Sequence, residues 1–152
     1  MSEAEFVYVT YIASTPEKIW DALVKPEITH EYWRHENVSD WKPGSPWRHV
    51  RDDAAKTVDL VGEVVESDRP RRLVLTWADP ANANDKSRHS RATFDIEPFE
   101  GMTRLTVTHD NFKEGTDTRR KISNGWPRVL SSLKSYLETG RALNLWAQPK
   151  AA

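Results

Sequence analysis

The 152-residue chain contains no cysteine, which excludes disulfides, thiolate nucleophiles and Cys-ligated zinc. It also lacks an excess of either charge: 22 basic and 23 acidic residues leave a formal net charge of −1. Such balance offers no electrostatic reason to bind nucleic acid or an anionic membrane. No apolar run approaches the roughly 20 residues that a membrane span needs. The acidic start Met-Ser-Glu-Ala-Glu-Phe lacks the apolar stretch of a signal peptide, so a cytoplasmic location is the expectation. Gly-rich phosphate loops, dinucleotide fingerprints, nucleophile elbows and internal repeats are all missing.

Tryptophan, by contrast, is abundant, at positions 20, 33, 41, 47, 77, 126 and 146. Large, flat, weakly polar side chains suit cores and ligand pockets alike. A chain of this length fits one domain that buries about two-thirds of its unfolded surface.

Phe6 to Ile12 alternates aromatic and β-branched residues and reads as a strand. Thr15 before Pro16 then offers an N-cap and a first-turn proline, with a Ser14–Glu17 capping box as the competing register. Ile19, Trp20, Leu23 and Val24 form one helical stripe. Lys25-Pro26-Glu27 breaks it and starts a second short helix bearing Ile28, Tyr32 and Trp33. A Pro/Gly turn cluster at 40–47 precedes strands at Trp47–Arg51, Thr57–Ser67 and Leu73–Trp77. After a polar loop at 79–88, Ala92–Pro98 and Met102–Phe112 form another pair around Phe99-Glu100-Gly101. Such close spacing favours an antiparallel meander. Ile122, Trp126, Val129, Leu130, Leu133, Tyr136 and Leu137 recur at helical spacing, with Gly140 at the C-cap. Pro127 implies that this helix either begins near Asn124 or is kinked. The segment after Gly140, with Leu143, Leu145 and Trp146, reads as a short extra turn or a loose tail.

Several patterns that suggest chemistry have plainer readings. His30 and His35 stand five residues apart, not four. On a helix their rings diverge by roughly 140°, so they cannot form the paired zinc ligands of an HExxH helix. They are expected as exposed or rim histidines, and no metal is expected. His109 and Asp110 are adjacent on a strand and point to opposite faces. Asp52-Asp53 reads as a solvated hairpin tip. Arg69-Pro70-Arg71-Arg72 and Arg119-Arg120-Lys121 read as solvated connections.

The order is a strand, two short helices, a run of strands and a long amphipathic helix. Within it lie Thr15-Pro16-Glu17-Lys18-Ile19-Trp20-Asp21-Ala22-Leu23, Trp33, Pro43-Gly44, Gly62-Glu63-Val64-Val65-Glu66, Pro70 to Trp77, Thr103 to His109, and Gly125-Trp126 leading to Leu130, Leu133, Lys134, Leu137 and Glu138. In that order and spacing the chain resembles the START-like (Bet v 1-like, SRPBCC) superfamily. Within it, the chain is similar to the bacterial activator of Hsp90 ATPase homologues. The match spans about residues 5–140, and residues 141–152 form a tail to a single domain.

The resemblance implies an α+β helix-grip fold. A curved six- to seven-stranded antiparallel sheet wraps around the long C-terminal helix, and two short helices follow the first strand. It also implies a cavity between sheet and helix. Strand parity then places Leu73, Leu75, Trp77, Phe94, Ile96, Leu105, Val107 and His109 on the concave face. His109 becomes an imidazole among apolar neighbours, either satisfied by a backbone carbonyl or water or anchoring a ligand oxygen. The expected ligand-contact residues are Tyr32, Trp33, Leu75, Trp77, Phe94, Val107, His109, Trp126 and Leu130. The leading expectation is a non-enzymatic protein that binds a small hydrophobic molecule, aromatic or lipid-like, with no cofactor and no catalytic residue.

Two alternatives accompany it: a co-chaperone module acting on another protein, in a stress-related context, and a polyketide cyclase- or aromatase-like enzyme. The namesake's activity resides in a larger architecture with an added N-terminal domain, which this chain, starting at the first strand, is expected to lack.

Overall fold

Thr15 opens the first helix through its own side chain: Oγ1 accepts from the Lys18 amide at 3.2 Å, and Pro16 follows at the first helical position. This is the Thr15 register, so the Ser14–Glu17 capping box does not form. The computed structural model describes residues 5–144. Strand β1 (Phe6–Ile12) leads into α1 (Pro16–Val24) and α2 (Pro26–Trp33). Lys25 closes α1 and opens α2, because Pro26 supplies no amide to continue the first helix. Arg34, in the left-handed region at φ 61°, ends α2.

The chain then runs through β2 (His35–Val38), β3 (Pro46–Arg51), β4 (Val58–Asp68), β5 (Arg72–Trp77), β6 (Ser90–Phe99) and β7 (Met102–Asp110). Two 3₁₀ turns, Pro80–Asn82 and Lys86–Arg88, fill the β5–β6 loop. Among the described residues these strands form one antiparallel sheet in the order β1-β7-β6-β5-β4-β3-β2. The sheet curls as a half-barrel against the long helix α3 (Thr118–Thr139), as the helix-grip reading requires.

Alternation sets the two faces of the sheet. On β7, Thr103, Leu105, Val107 and His109 are buried, while Asp110 turns outward to Arg91. On β5 and β6, Leu73, Leu75, Trp77, Phe94 and Ile96 point into the same core. The concave face is thus the one that strand parity specifies.

Three local expectations change. Strand β2 is additional: three of its four residues are polar, and its place is fixed by hydrogen bonds, not by an apolar pattern. Its Asn37 amide donates to Thr29 Oγ1 at 3.0 Å. Strand β7 stops at Asp110, and Phe112 packs into the core from the loop beyond it. Helix α3 begins at Thr118, before Asn124, and carries Pro127 inside it. The proline removes one intrahelical donor, whereas Ile122, Trp126, Val129, Leu130 and Leu133 bury a continuous stripe on both sides of it. Burial of that stripe outweighs one lost bond. Arg119-Arg120-Lys121 therefore lies in the first turn of α3 and not in a connection, with Arg120 paired to Asp117. Gly140 caps the helix at φ 80°, its amide donating to the Tyr136 carbonyl at 2.8 Å. Leu145 and Trp146 lie outside the described residues.

The two short helices are tied to α3 through Tyr32. Its hydroxyl donates to the Ala22 carbonyl at 2.7 Å, and its carbonyl accepts from Ser132 Oγ at 2.8 Å. Burial pushes the Tyr32 phenol well above its ordinary range, so it stays a neutral donor.

Candidate functional site

Four aromatic rings from four elements converge between the first half of α3 and the β3–β5 part of the sheet. Trp33 ends α2, His49 sits on β3, Trp77 ends β5 and Trp126 lies on α3. Ring centroids are 5.6 Å apart for Trp33–Trp126, 5.2 Å for Trp77–Trp126 and 4.6 Å for Trp33–His49. The rings tilt against one another by 52–60°, so they leave space instead of stacking it away. That space is a cavity of about 180 Å³. Leu60, Ala78, Ile122 and Val129 complete its apolar wall, Gly125 and Thr118 lie on the α3 side, and exposed Asp79 and Lys121 stand at its rim.

Helical spacing explains the α3 contribution. Positions 118, 121, 122, 125, 126 and 129 fall on one face, and Gly125 sits in the middle of that face. A Cβ added there would meet no atom within 4 Å beyond its chain neighbours and the surrounding helix backbone.

Of the expected ligand-contact residues, Trp33, Trp77 and Trp126 line the cavity. Tyr32, Leu75, Phe94, Val107 and Leu130 are packed in the core outside its wall. His109 also lies outside it, directly behind Trp126. The Trp126 Nε1–H donates to His109 Nδ1 at 3.2 Å, which makes Nδ1 the acceptor. The other nitrogen then carries the proton and donates to Ser90 Oγ at 2.8 Å, and that hydroxyl donates to the Trp77 carbonyl at 3.2 Å. Burial holds the His109 pKa down to about 3, with Asp110 acting in the opposite direction, so the ring is neutral. Both nitrogens are closed within the protein.

The histidine on the cavity wall is His49, which sequence reasoning missed. Strand β3 reads Trp47-Arg48-His49-Val50-Arg51 and looks half charged. The available signal was the two-residue spacing of Trp47 and His49, which puts both on the buried face before the bulge between His49 and Val50. Burial, followed by the neighbouring His35, holds the His49 pKa well below its ordinary value, with Asp59 acting in the opposite direction. His49 stacks on His35 at 4.0 Å with a 5° tilt.

The remaining polar candidates are engaged elsewhere. His35 belongs to β2, and its nitrogens face the Trp33 carbonyl at 2.9 Å and Asp59 Oδ2 at 2.8 Å. It is therefore largely sheltered and not at a rim. His30 lies on α2 and pairs with Asp52 at 3.0 Å. Asp53 accepts from the Thr57 amide and hydroxyl at 2.9 and 2.7 Å within a solvent-facing turn in which Asp52 is exposed. Arg69 and Arg72 reach Asp21, Glu66 and Asp95, and Arg71 pairs with Asp68.

Residues 13–138 match the family described as "Activator of Hsp90 ATPase homolog 1-like protein". The chain belongs to that family. Its fold recurs in the Aha1 dimer of Colwellia psychrerythraea, at TM-score 0.75 and 23% identity over 92% of this chain and 100% of that one. An Hsp90 activator from Plasmodium falciparum superposes at TM-score 0.72 with 20% identity, covering 89% and 96% of the two chains. CalU16 from Micromonospora echinospora does so at 0.70 with 15% identity, covering 90% and 77%. Among curated protein sequences none is similar enough to count as a match. At these identities the structural likenesses speak for the fold alone. No helix among the described residues is long and apolar enough to cross a membrane.

Proposed function

We propose that this family member binds a small, mostly apolar ligand in the Trp33–Trp77–Trp126 cavity and does not transform it. The observation that carries this reading is the empty space beside the Trp33, Trp77 and Trp126 indoles, about 180 Å³ in volume, with charged groups only at its rim. An engineered apolar cavity of about 150 Å³ admits benzene, so this volume suits one aromatic ring or a short branched chain. A long lipid chain would need the helix to move off the sheet. Aromatic walls favour an aromatic guest, because tilted rings gain edge-to-face contacts beyond area burial.

A native mass spectrum of the protein as purified from cells tests this. An additional mass of a one-ring compound, lost on denaturation, is the expected result. A bare mass together with no tryptophan response to added toluene would count against it.

A second reading, action on an Hsp90-type chaperone, draws on family membership. Stimulation of the cognate chaperone's ATPase by this chain would favour it, and its absence would remove it.

A further inference from the structure

The cavity wall holds one polar atom with a defined role. His49 Nδ1 lies 2.6 Å from Asn37 Oδ1. The orientation of that amide is set from its far end, since Asn37 Nδ2 donates to the Leu23 carbonyl at 3.4 Å. Oδ1 can therefore only accept, and the His49 proton sits on Nδ1. Burial favours the uncharged ring, and a neutral imidazole with its proton on Nδ1 carries a bare lone pair on Nε2. That nitrogen makes no hydrogen bond among the described residues, yet no fully buried side-chain nitrogen or oxygen among them lacks a partner. Nε2 is thus reachable, and the space that His49 borders is the cavity. His109 offers the contrast, with both nitrogens closed by Trp126 and Ser90.

The geometry points to a ligand of one chemical class: a single-ring aromatic molecule bearing a neutral O–H or N–H donor. Its ring lies among Trp33, Trp77 and Trp126, and its donor rests on Nε2 of His49. This inference builds on the binding reading above and adds the polar requirement to it.

Phenol and toluene separate the two claims, because they share size and shape and differ in one hydroxyl. In a purely apolar box phenol gives up its water and gains nothing, so toluene binds more tightly. With a waiting acceptor the order inverts, and phenol is expected to bind roughly tenfold more tightly than toluene. Calorimetric titration of the whole chain with each probe gives the ratio. Nitrogen-15 spectra of the same samples are expected to show the His49 Nε2 resonance moving with phenol and staying put with toluene. Toluene binding as tightly as phenol, or a His49 Nε2 resonance that phenol leaves unmoved, would overturn the inference while leaving the cavity as a binding site. Failure of both probes to bind up to their solubility limits would overturn the binding reading itself, and this one with it.

Discussion

Trp126 and His109 meet through a single hydrogen bond, from the indole Nε1–H to the imidazole Nδ1 at 3.2 Å. One face of the relationship is structural: the bond fixes the tautomer of a fully buried histidine and locks α3 to β7. The other face bears on the cavity, because the same indole, held at that angle, lines it together with His49 and Trp77. Substituting Trp126→Phe leaves Nδ1 without a donor and opens space beside it. We expect a loss of about 3 kcal/mol in unfolding free energy by urea titration. A loss under about 1 kcal/mol would show that the bond is dispensable.

Acid should weaken the fold through the same histidine. Its pKa lies at about 3 in the folded chain against an ordinary value of 6.5, so between those values the unfolded chain binds more protons. The stability is complete above about pH 6.5 and declines as pH falls towards 3. Each pH unit below 6.5 costs about 1.4 kcal/mol, or on the order of 2 kcal/mol by pH 5. His49 acts in the same direction. Urea titrations at pH 7.5, 6 and 5 should show this slope, and a His109→Gln variant should flatten it. An unchanged slope in the variant would assign the acid sensitivity elsewhere.

Two glycines should respond oppositely to alanine. Gly62 on β4 faces Trp47 across the sheet, beneath the bond from Trp47 Nε1–H to the Thr76 carbonyl at 2.8 Å. A Cβ there would lie 1.9 Å from the Thr76 oxygen and 2.4 Å from the indole nitrogen, so the backbone itself would have to shift. We expect Gly62→Ala to cost about 3 kcal/mol or more. Gly125→Ala, inside α3 with open space at its Cβ, should gain about 0.5–1 kcal/mol. Gly125→Leu should fill the cavity and abolish toluene binding. Thermal unfolding and calorimetric titration check the set.

Tyr32→Phe separates core from cavity. The hydroxyl donates to a buried carbonyl, so its loss should cost about 1 kcal/mol. Toluene affinity should not change, since the ring is packed outside the cavity wall. A change in affinity would extend the site beyond Trp33 to the Tyr32 ring.

Most of the fold was legible because alternation and capping are local. Thr15-Pro16, the alternating β1, β6 and β7, the stripe on α3 and Gly140 each announce their own structure. Strand β2 was not legible, since His35-Glu36-Asn37-Val38 is held by partners distant in sequence. The start of α3 was obscured by Pro127, whose local penalty is overruled by burial of Ile122 and Trp126.

The site was legible in kind but not in detail. Three tryptophans were identifiable as wall residues, yet parity alone could not tell which buried histidine retains a free nitrogen. His109 sits on the more apolar face and draws attention. Whether its nitrogens are spent depends on Ser90 and Trp126, which only tertiary structure brings to it.

Trp33, Trp77 and Trp126 line a space large enough for one aromatic ring. A toluene titration followed through the indole N–H signals of nitrogen-15-labelled protein tests it most directly. Saturable shifts of those three indoles, with Trp20 and Trp41 unmoved, are the predicted result. No saturable shift, or shifts centred on Trp20 or Trp41, would contradict it.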